Sequence, residues 1–97
     1  MSVVRTIRIT PRNERAYRRY VRRDRKRRQC VADTLATLLA NPWDQSLETH
    51  RLKGAHEGEL SCSCGYDCRI IFTIEPGSRP RFEEIVLQDV GTHDEVY

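Results

Sequence analysis

The sequence predicts an α+β fold in which a small antiparallel sheet of about four strands packs against an N-terminal helical hairpin, in the order βααβββ with a short C-terminal turn. Three observations predict it. Residues 3–9 alternate and are rich in β-branched side chains, residues 10–42 repeat at helical spacing, and three more strand-like runs follow residue 58, joined by short turn segments. At 97 residues the chain is expected to form a single domain over 1–97, large enough to bury roughly 60–65% of its unfolded surface.

The elements follow in order. "VVRTIRI" puts Val3, Arg5, Ile7 and Ile9 on one face and Val4, Thr6 and Arg8 on the other, the period of a strand. Thr10 then stands as N-cap and Pro11 at the first helical position. Ala16, Tyr17, Tyr20 and Val21 make a narrow apolar stripe among arginines. Val31, Leu35, Leu38 and Leu39 carry a second helix that Asn41-Pro42 closes, with a turn between the two near Asp24–Arg27. After a long connection, "ELSCS" alternates with Leu60 and Cys62 inward. "CRIIFTI" places Cys68, Ile70, Phe72 and Ile74 opposite Arg69, Ile71 and Thr73, and "FEEIVLQDV" is the last run. The connectors "CGYD" and "EPGSRPR" carry turn chemistry suited to consecutive antiparallel strands.

Composition narrows the classes of function. An apolar share of 38% and a charged share of 32% describe a globule with a highly polar surface. No apolar run approaches the roughly 18–20 residues that a membrane span needs. The opening "MSVVRTIRIT" has no apolar signal core, so a cytoplasmic location and no membrane partner are expected. The net charge of +3 conceals a polarity: residues 1–30 hold twelve basic and two acidic side chains, residues 31–97 five and twelve. A basic end of this kind suits a polyanion or an acidic partner. Only Lys26 and Lys53 are lysines, and the arginine bias favours planar forks on phosphate; a solvated helix face reads the same way.

Four cysteines raise the question of a metal. C-x-C-x3-C at Cys62, Cys64 and Cys68 lacks the paired C-x2-C spacing of a zinc ribbon, although His50 and His56 lie upstream. Cys62 and Cys64 share the strand face of Leu60, where a thiol packs as a small hydrophobe. No metal and no cofactor are expected. The tail is richer. Thr92-His93-Asp94-Glu95 is a capping-box pattern, which puts His93 at the first position of a short helical turn whose N–H groups favour an anion. An imidazole there can exchange a proton near neutral pH, and Tyr97 falls on the same side four residues later. Arg69 faces away from Ile70 and Phe72, either as the solvated side of the sheet or as a phosphate clamp. Asp67, in the turn before it, is a turn former or orients a histidine. His50, Arg51 and Lys53 sit together in the loop segment "HRLKG".

The blocks "HRLKG", "CSCGYDCRIIF" and "DVGTHDEVY", in this order and spacing, resemble the RelE/ParE superfamily of bacterial toxins, most closely the YafQ-like branch of RelE-type mRNA interferases. The resemblance covers essentially the whole chain. It implies a RelE-like fold and metal-independent cleavage of mRNA in the ribosomal A site, with the ribose 2′-OH as nucleophile and an antitoxin protein as partner. By position it implies His93 as the general acid, Tyr97 as the aromatic that orients or stacks a nucleotide, Arg69 as the phosphate-facing cation, and His50 and Asp67 as further functional positions. Arg19, Arg22 and Arg23 on the basic helix, with Arg51 and Lys53, would then contact RNA.

Two departures stand out. Ser63 occupies the place of a second histidine in the YafQ-like pattern, and the lysines of RelE-type toxins are missing from this strand. The general base therefore stays open: His50 is favoured by position, with Asp67 orienting it, and Glu59 and Glu84 are the alternatives. Two other classes of function keep the same fold: a ParE-like protein that poisons DNA gyrase without nuclease chemistry, and a nucleic-acid-binding module with no catalysis.

Overall fold

The structure, a computed structural model, describes residues 3–97. Strand β1 (Val4–Ile9) leads into helices α1 (Pro11–Val21) and α2 (Arg25–Ala40). A short strand β2 (His50–Arg51) follows, then β3 (Leu60–Cys64), β4 (Cys68–Pro76), β5 (Phe82–Thr92) and a final helical turn α3 (His93–Val96). The five strands form one sheet in the order β1-β5-β4-β3-β2.

Local chemistry explains where the helices begin. The Thr10 hydroxyl accepts from the Asn13 N–H at 3.1 Å and itself donates to the Leu87 carbonyl at 2.8 Å, so one side chain caps α1 and ties it to β5. Asp24 caps α2 by accepting from the Arg27 N–H at 3.0 Å. The hairpin turns through Arg22–Asp24, with Arg23 left-handed at φ 54°, slightly earlier than the sequence pattern predicts. On α2 the buried positions are Val31, Thr34 and Leu38; Leu39, expected on the apolar stripe, is exposed.

The sheet departs from the expected four antiparallel strands in two ways. His50 and Arg51 pair with Ser61 and Leu60 as a fifth, two-residue strand. The first strand pairs with the last in parallel, Val4 beside Phe82 through Ile9 beside Leu87. The other three pairs are antiparallel. Local alternation identifies a strand but carries no information on which distant strand lies beside it. The β4–β5 ladder shifts by one residue between Ile71 and Phe72.

The core lies between the helices and one face of the sheet. Ala16, Tyr20, Val31 and Leu38 meet Leu60, Cys62, Ile70, Phe72, Ile85, Leu87 and Val90. The cysteines belong to this layer: Cys62, Cys64 and Cys68 are buried, and all four are free. Burial pushes the Cys62 thiol up to about 12. Burial, followed by the hydrogen bond to Cys64, pushes Cys30 up to about 11. These groups behave as compact apolar side chains at neutral pH. Among the described residues no group of three or more His, Cys, Asp or Glu side chains is arranged to hold a metal ion, and no helix is long and apolar enough to cross a membrane.

Candidate active site

Strand periodicity and register together build the other face of the sheet. His50 lies opposite Ser61, Ser61 opposite Ile71, Ser63 opposite Arg69, and Arg69 opposite Gly91. Directly paired residues share a face, as do residues two apart on one strand. His50, Ser61, Ser63, Arg69 and Ile71 therefore line one side, while Leu60, Cys62, Ile70 and Phe72 line the helix-covered side.

The chain end folds back over that polar face. Thr92 accepts from the Glu95 N–H at 3.3 Å and the Glu95 carboxylate accepts from the Thr92 N–H at 2.8 Å, the capping box that the sequence predicts. Gly91 makes the return possible through its size. A Cβ there would lie 3.0 Å from the Glu95 carboxylate and 3.1 Å from its Cβ. Val96 is consequently buried, and the Tyr97 hydroxyl donates to the hydroxyl of Ser61, itself fully buried. Among the described residues no buried side-chain N or O lacks a hydrogen-bond partner. An exposed turn is thus anchored at both ends.

Two imidazoles flank the Tyr97 ring. His93, on the surface at the first position of α3, meets it edge-on with centroids 4.6 Å apart. His56 also meets it edge-on, at 6.2 Å. The His56 Nδ1–H donates to the Glu59 carboxylate at 2.9 Å, with both side chains largely covered. His50 is exposed, and its Nδ1–H donates to the Glu48 carbonyl at 3.1 Å. Ser63 donates to the Glu48 carboxylate at 3.2 Å. The half-buried Arg69 donates to the adjacent Cys68 carbonyl at 3.0 Å.

Of the expected site residues, the structure gathers His50, Arg69, His93 and Tyr97 around one face. Asp67 lies in the exposed turn between β3 and β4 beside the fully exposed Tyr66, and the group on His50 Nδ1 is a backbone carbonyl instead. Lys53 is exposed ahead of a short 3₁₀ turn, and the Arg51 guanidinium lies 5.4 Å from the centre of the Trp43 ring. Arg19, Arg22 and Arg23 are exposed at the end of α1 and in the turn after it. The Glu95 carboxyl is held below its ordinary range by the Thr92 N–H first, against slight burial, with help from the Thr92 hydroxyl and the charges of Arg19 and Arg27. The basic hairpin end thus reaches the site electrostatically. Glu59 is a candidate base in the sequence, but its bond to His56 and the anchoring role of Ser61 are not marked there beyond an H-x-x-E spacing.

Chemically the face offers imidazoles for proton transfer, an arginine fork for phosphate charge, and an aromatic ring against which a base can stack. No family model matches the sequence, and no curated protein matches it in sequence. Its fold has clear counterparts. A YoeB/ParE toxin from Agrobacterium tumefaciens superposes with a TM-score of 0.73 at 17% identity, covering 91% of this chain and 98% of the other. YafQ from E. coli gives 0.67 at 17% identity over 96% and 98%. The RelBE2 toxin–antitoxin complex of Mycobacterium tuberculosis gives 0.67 at 17% identity over 96% and 100%. With its mostly antiparallel sheet, helical hairpin and C-terminal turn, the chain has the fold of the RelE/ParE superfamily of toxins.

Proposed function

We propose that this chain is the toxin of a toxin–antitoxin pair and acts as a ribosome-dependent mRNA endonuclease without a metal. The observation that carries the reading is the anchoring of His93 and Tyr97 over the sheet face that bears Arg69 and His50. Cleavage by a ribose 2′-OH needs a proton donor for the leaving oxygen and a cation for the phosphorane, and needs no nucleophile from the protein. The His93 imidazolium serves as general acid, Arg69 supports the phosphate, and Tyr97 stacks the nucleotide. His50 from the edge strand β2 and Asp67 from the β3–β4 turn frame the site. Arg19, Arg22, Arg23, Arg51 and Lys53 meet the RNA backbone of message and ribosome. An antitoxin partner is supported by the solved E. coli DinJ–YafQ and mycobacterial RelBE2 complexes, which share this fold.

The test is transcript cleavage on programmed ribosomes by the unchanged protein and by His93→Ala and Tyr97→Phe. His93→Ala is expected to lose about 10²–10⁴-fold in rate while keeping its fold, and induced expression should no longer arrest growth. Undiminished cleavage by His93→Ala removes the assigned acid. Intact RNA together with inhibited gyrase supercoiling selects the gyrase-poisoning class, and intact RNA with tight, salt-sensitive binding selects a binding module.

A further inference from the structure

Three histidines are present in the chain, and His93 is placed as the acid under the endoribonuclease reading, on which this inference rests. The base that takes the 2′-OH proton must then stand across the nucleotide from His93. Ser63, where the related pattern has a second histidine, cannot do so. We propose that His56 is that base, and that Glu59 positions it.

The first argument is geometry. Tyr97 is held in place because its hydroxyl bonds to buried Ser61, and its ring is the common wall of two imidazoles, His93 at 4.6 Å and His56 at 6.2 Å between centroids. A nucleotide against Tyr97 is therefore next to both of them. Among the described residues His50 makes no such ring contact; it sits on the two-residue strand at the sheet edge.

The second argument is the hydrogen bond on the far nitrogen. A His56 Nδ1–H donating to the Glu59 carboxylate leaves Nε2 with its lone pair free, and a carboxylate supports the positive charge that the ring acquires on accepting a proton. The partner of His50 Nδ1 is a neutral carbonyl, which fixes the tautomer without supplying charge. Burial strengthens the contrast, since the His56 and Glu59 side chains are 31% and 24% exposed.

The third argument is that the loop holds both residues by its backbone. The Glu57 N–H donates to the Gly54 carbonyl at 3.1 Å, the Glu59 N–H to the His56 carbonyl at 3.0 Å, and the Leu52 N–H to the Glu59 carbonyl at 3.0 Å. Gly58, at φ 93°, takes a conformation that side-chain-bearing residues rarely adopt. The dyad is therefore part of an ordered loop.

In the resulting step His56 Nε2 removes the proton from O2′, and O2′ bonds to phosphorus as the P–O5′ bond breaks. His93 delivers its proton to O5′. The products are a 2′,3′-cyclic phosphate and a 5′-hydroxyl, with His56 protonated and His93 neutral until solvent resets both. Glu59 from its own loop and Tyr97 from the chain end face His56, and His93 contacts the same Tyr97 ring; Lys53 and Glu57 lie exposed on the same loop.

The experiment is the pH–rate profile of transcript cleavage on programmed ribosomes for the unchanged protein, His56→Gln, Glu59→Gln and His50→Gln, each first checked for an unaltered thermal melt. His56→Gln should lose about 10²–10⁴-fold and with it the acidic limb of the profile, leaving the alkaline limb that His93 sets. Glu59→Gln should lower kcat while leaving KM unchanged, a split that a merely structural role would not produce. In His56→Ala, added imidazole should restore part of the rate. An acidic limb that survives in His56→Gln, or disappears only in His50→Gln, overturns the assignment and leaves the endonuclease reading standing. Failure of the unchanged protein to cleave overturns that reading and the base assignment together.

Discussion

The two faces of the sheet are built from alternate residues of the same strands, yet they obey different rules. On the helix-covered face Cys62, Ile70, Phe72 and Ile85 are fully buried, and burial drives the Cys62 thiol toward its neutral form. On the other face the same strands present Ser61, Ser63 and Arg69, and the cover is a four-residue turn instead of two helices. One face is held by the volume it fills. The other also buries Ile71 and Val96, but is closed by a few directed bonds (Thr92 with Glu95, Tyr97 with Ser61) and keeps imidazoles and a guanidinium within reach of a ligand. A substitution at neighbouring positions of β4 should therefore alter stability on one side and chemistry on the other.

The largest effect expected is on the covered side. Phe72→Ala removes a fully buried ring at the centre of the core and should cost about 3–5 kcal/mol. That is a large part of the about 5–15 kcal/mol typical of a folded domain. Urea denaturation should show it as a lower midpoint with an unchanged slope. A loss below about 1 kcal/mol would mean that this layer is far looser than its burial indicates.

Arg69, three residues away on the opposite face, should behave in reverse. Its side chain donates only to the neighbouring Cys68 carbonyl among the described residues, so Arg69→Ala should move stability by less than about 1 kcal/mol. The rate of transcript cleavage should fall by about 10²–10³-fold, the scale for removing one group that stabilises charge in a transition state. Arg69→Lys should recover little, because the planar fork is lost. A stability loss equal to that of Phe72→Ala would abolish the distinction between the faces.

This distinction also marks how far sequence alone could reach. β3, β4 and β5, the caps at Thr10 and Thr92, and the placement of Tyr97 beside His93 follow from local periodicity, and the structure reproduces them. The parallel β1–β5 pair does not, because a strand's partner is chosen by contacts some eighty residues away in the chain. Thr34 is buried and Leu39 exposed because the sheet and not the helix pattern decides the last degrees of rotation. Asp67 looked able to orient His50 from its type and nearness; the chain instead turns the Glu48 carbonyl onto that ring. The pairing of His56 with Glu59 is hidden for a related reason. Their loop has no periodic pattern, and their meaning depends on Tyr97, some forty residues later.

The smallest effect tests the bond that closes the polar face. Glu95 is exposed, and its carboxyl ordinarily titrates near 4.5. The Thr92 N–H above all, then the Thr92 hydroxyl, Arg19 and Arg27, favour the carboxylate in the folded chain and lower that value. Because the folded value lies below the unfolded one, the stabilisation is complete above the unfolded value and disappears as pH falls through the folded one. Glu95→Gln keeps an acceptor for the Thr92 N–H but removes the charge. Its melting temperature should therefore lie slightly below that of the unchanged protein at pH 6, by the equivalent of less than about 1 kcal/mol. The two should converge as pH falls through the lowered folded value, and added salt should shrink the gap at pH 6. A gap that persists at low pH would show that the substituted amide misfits the turn sterically, and that charge from the basic hairpin plays no part in closing this face.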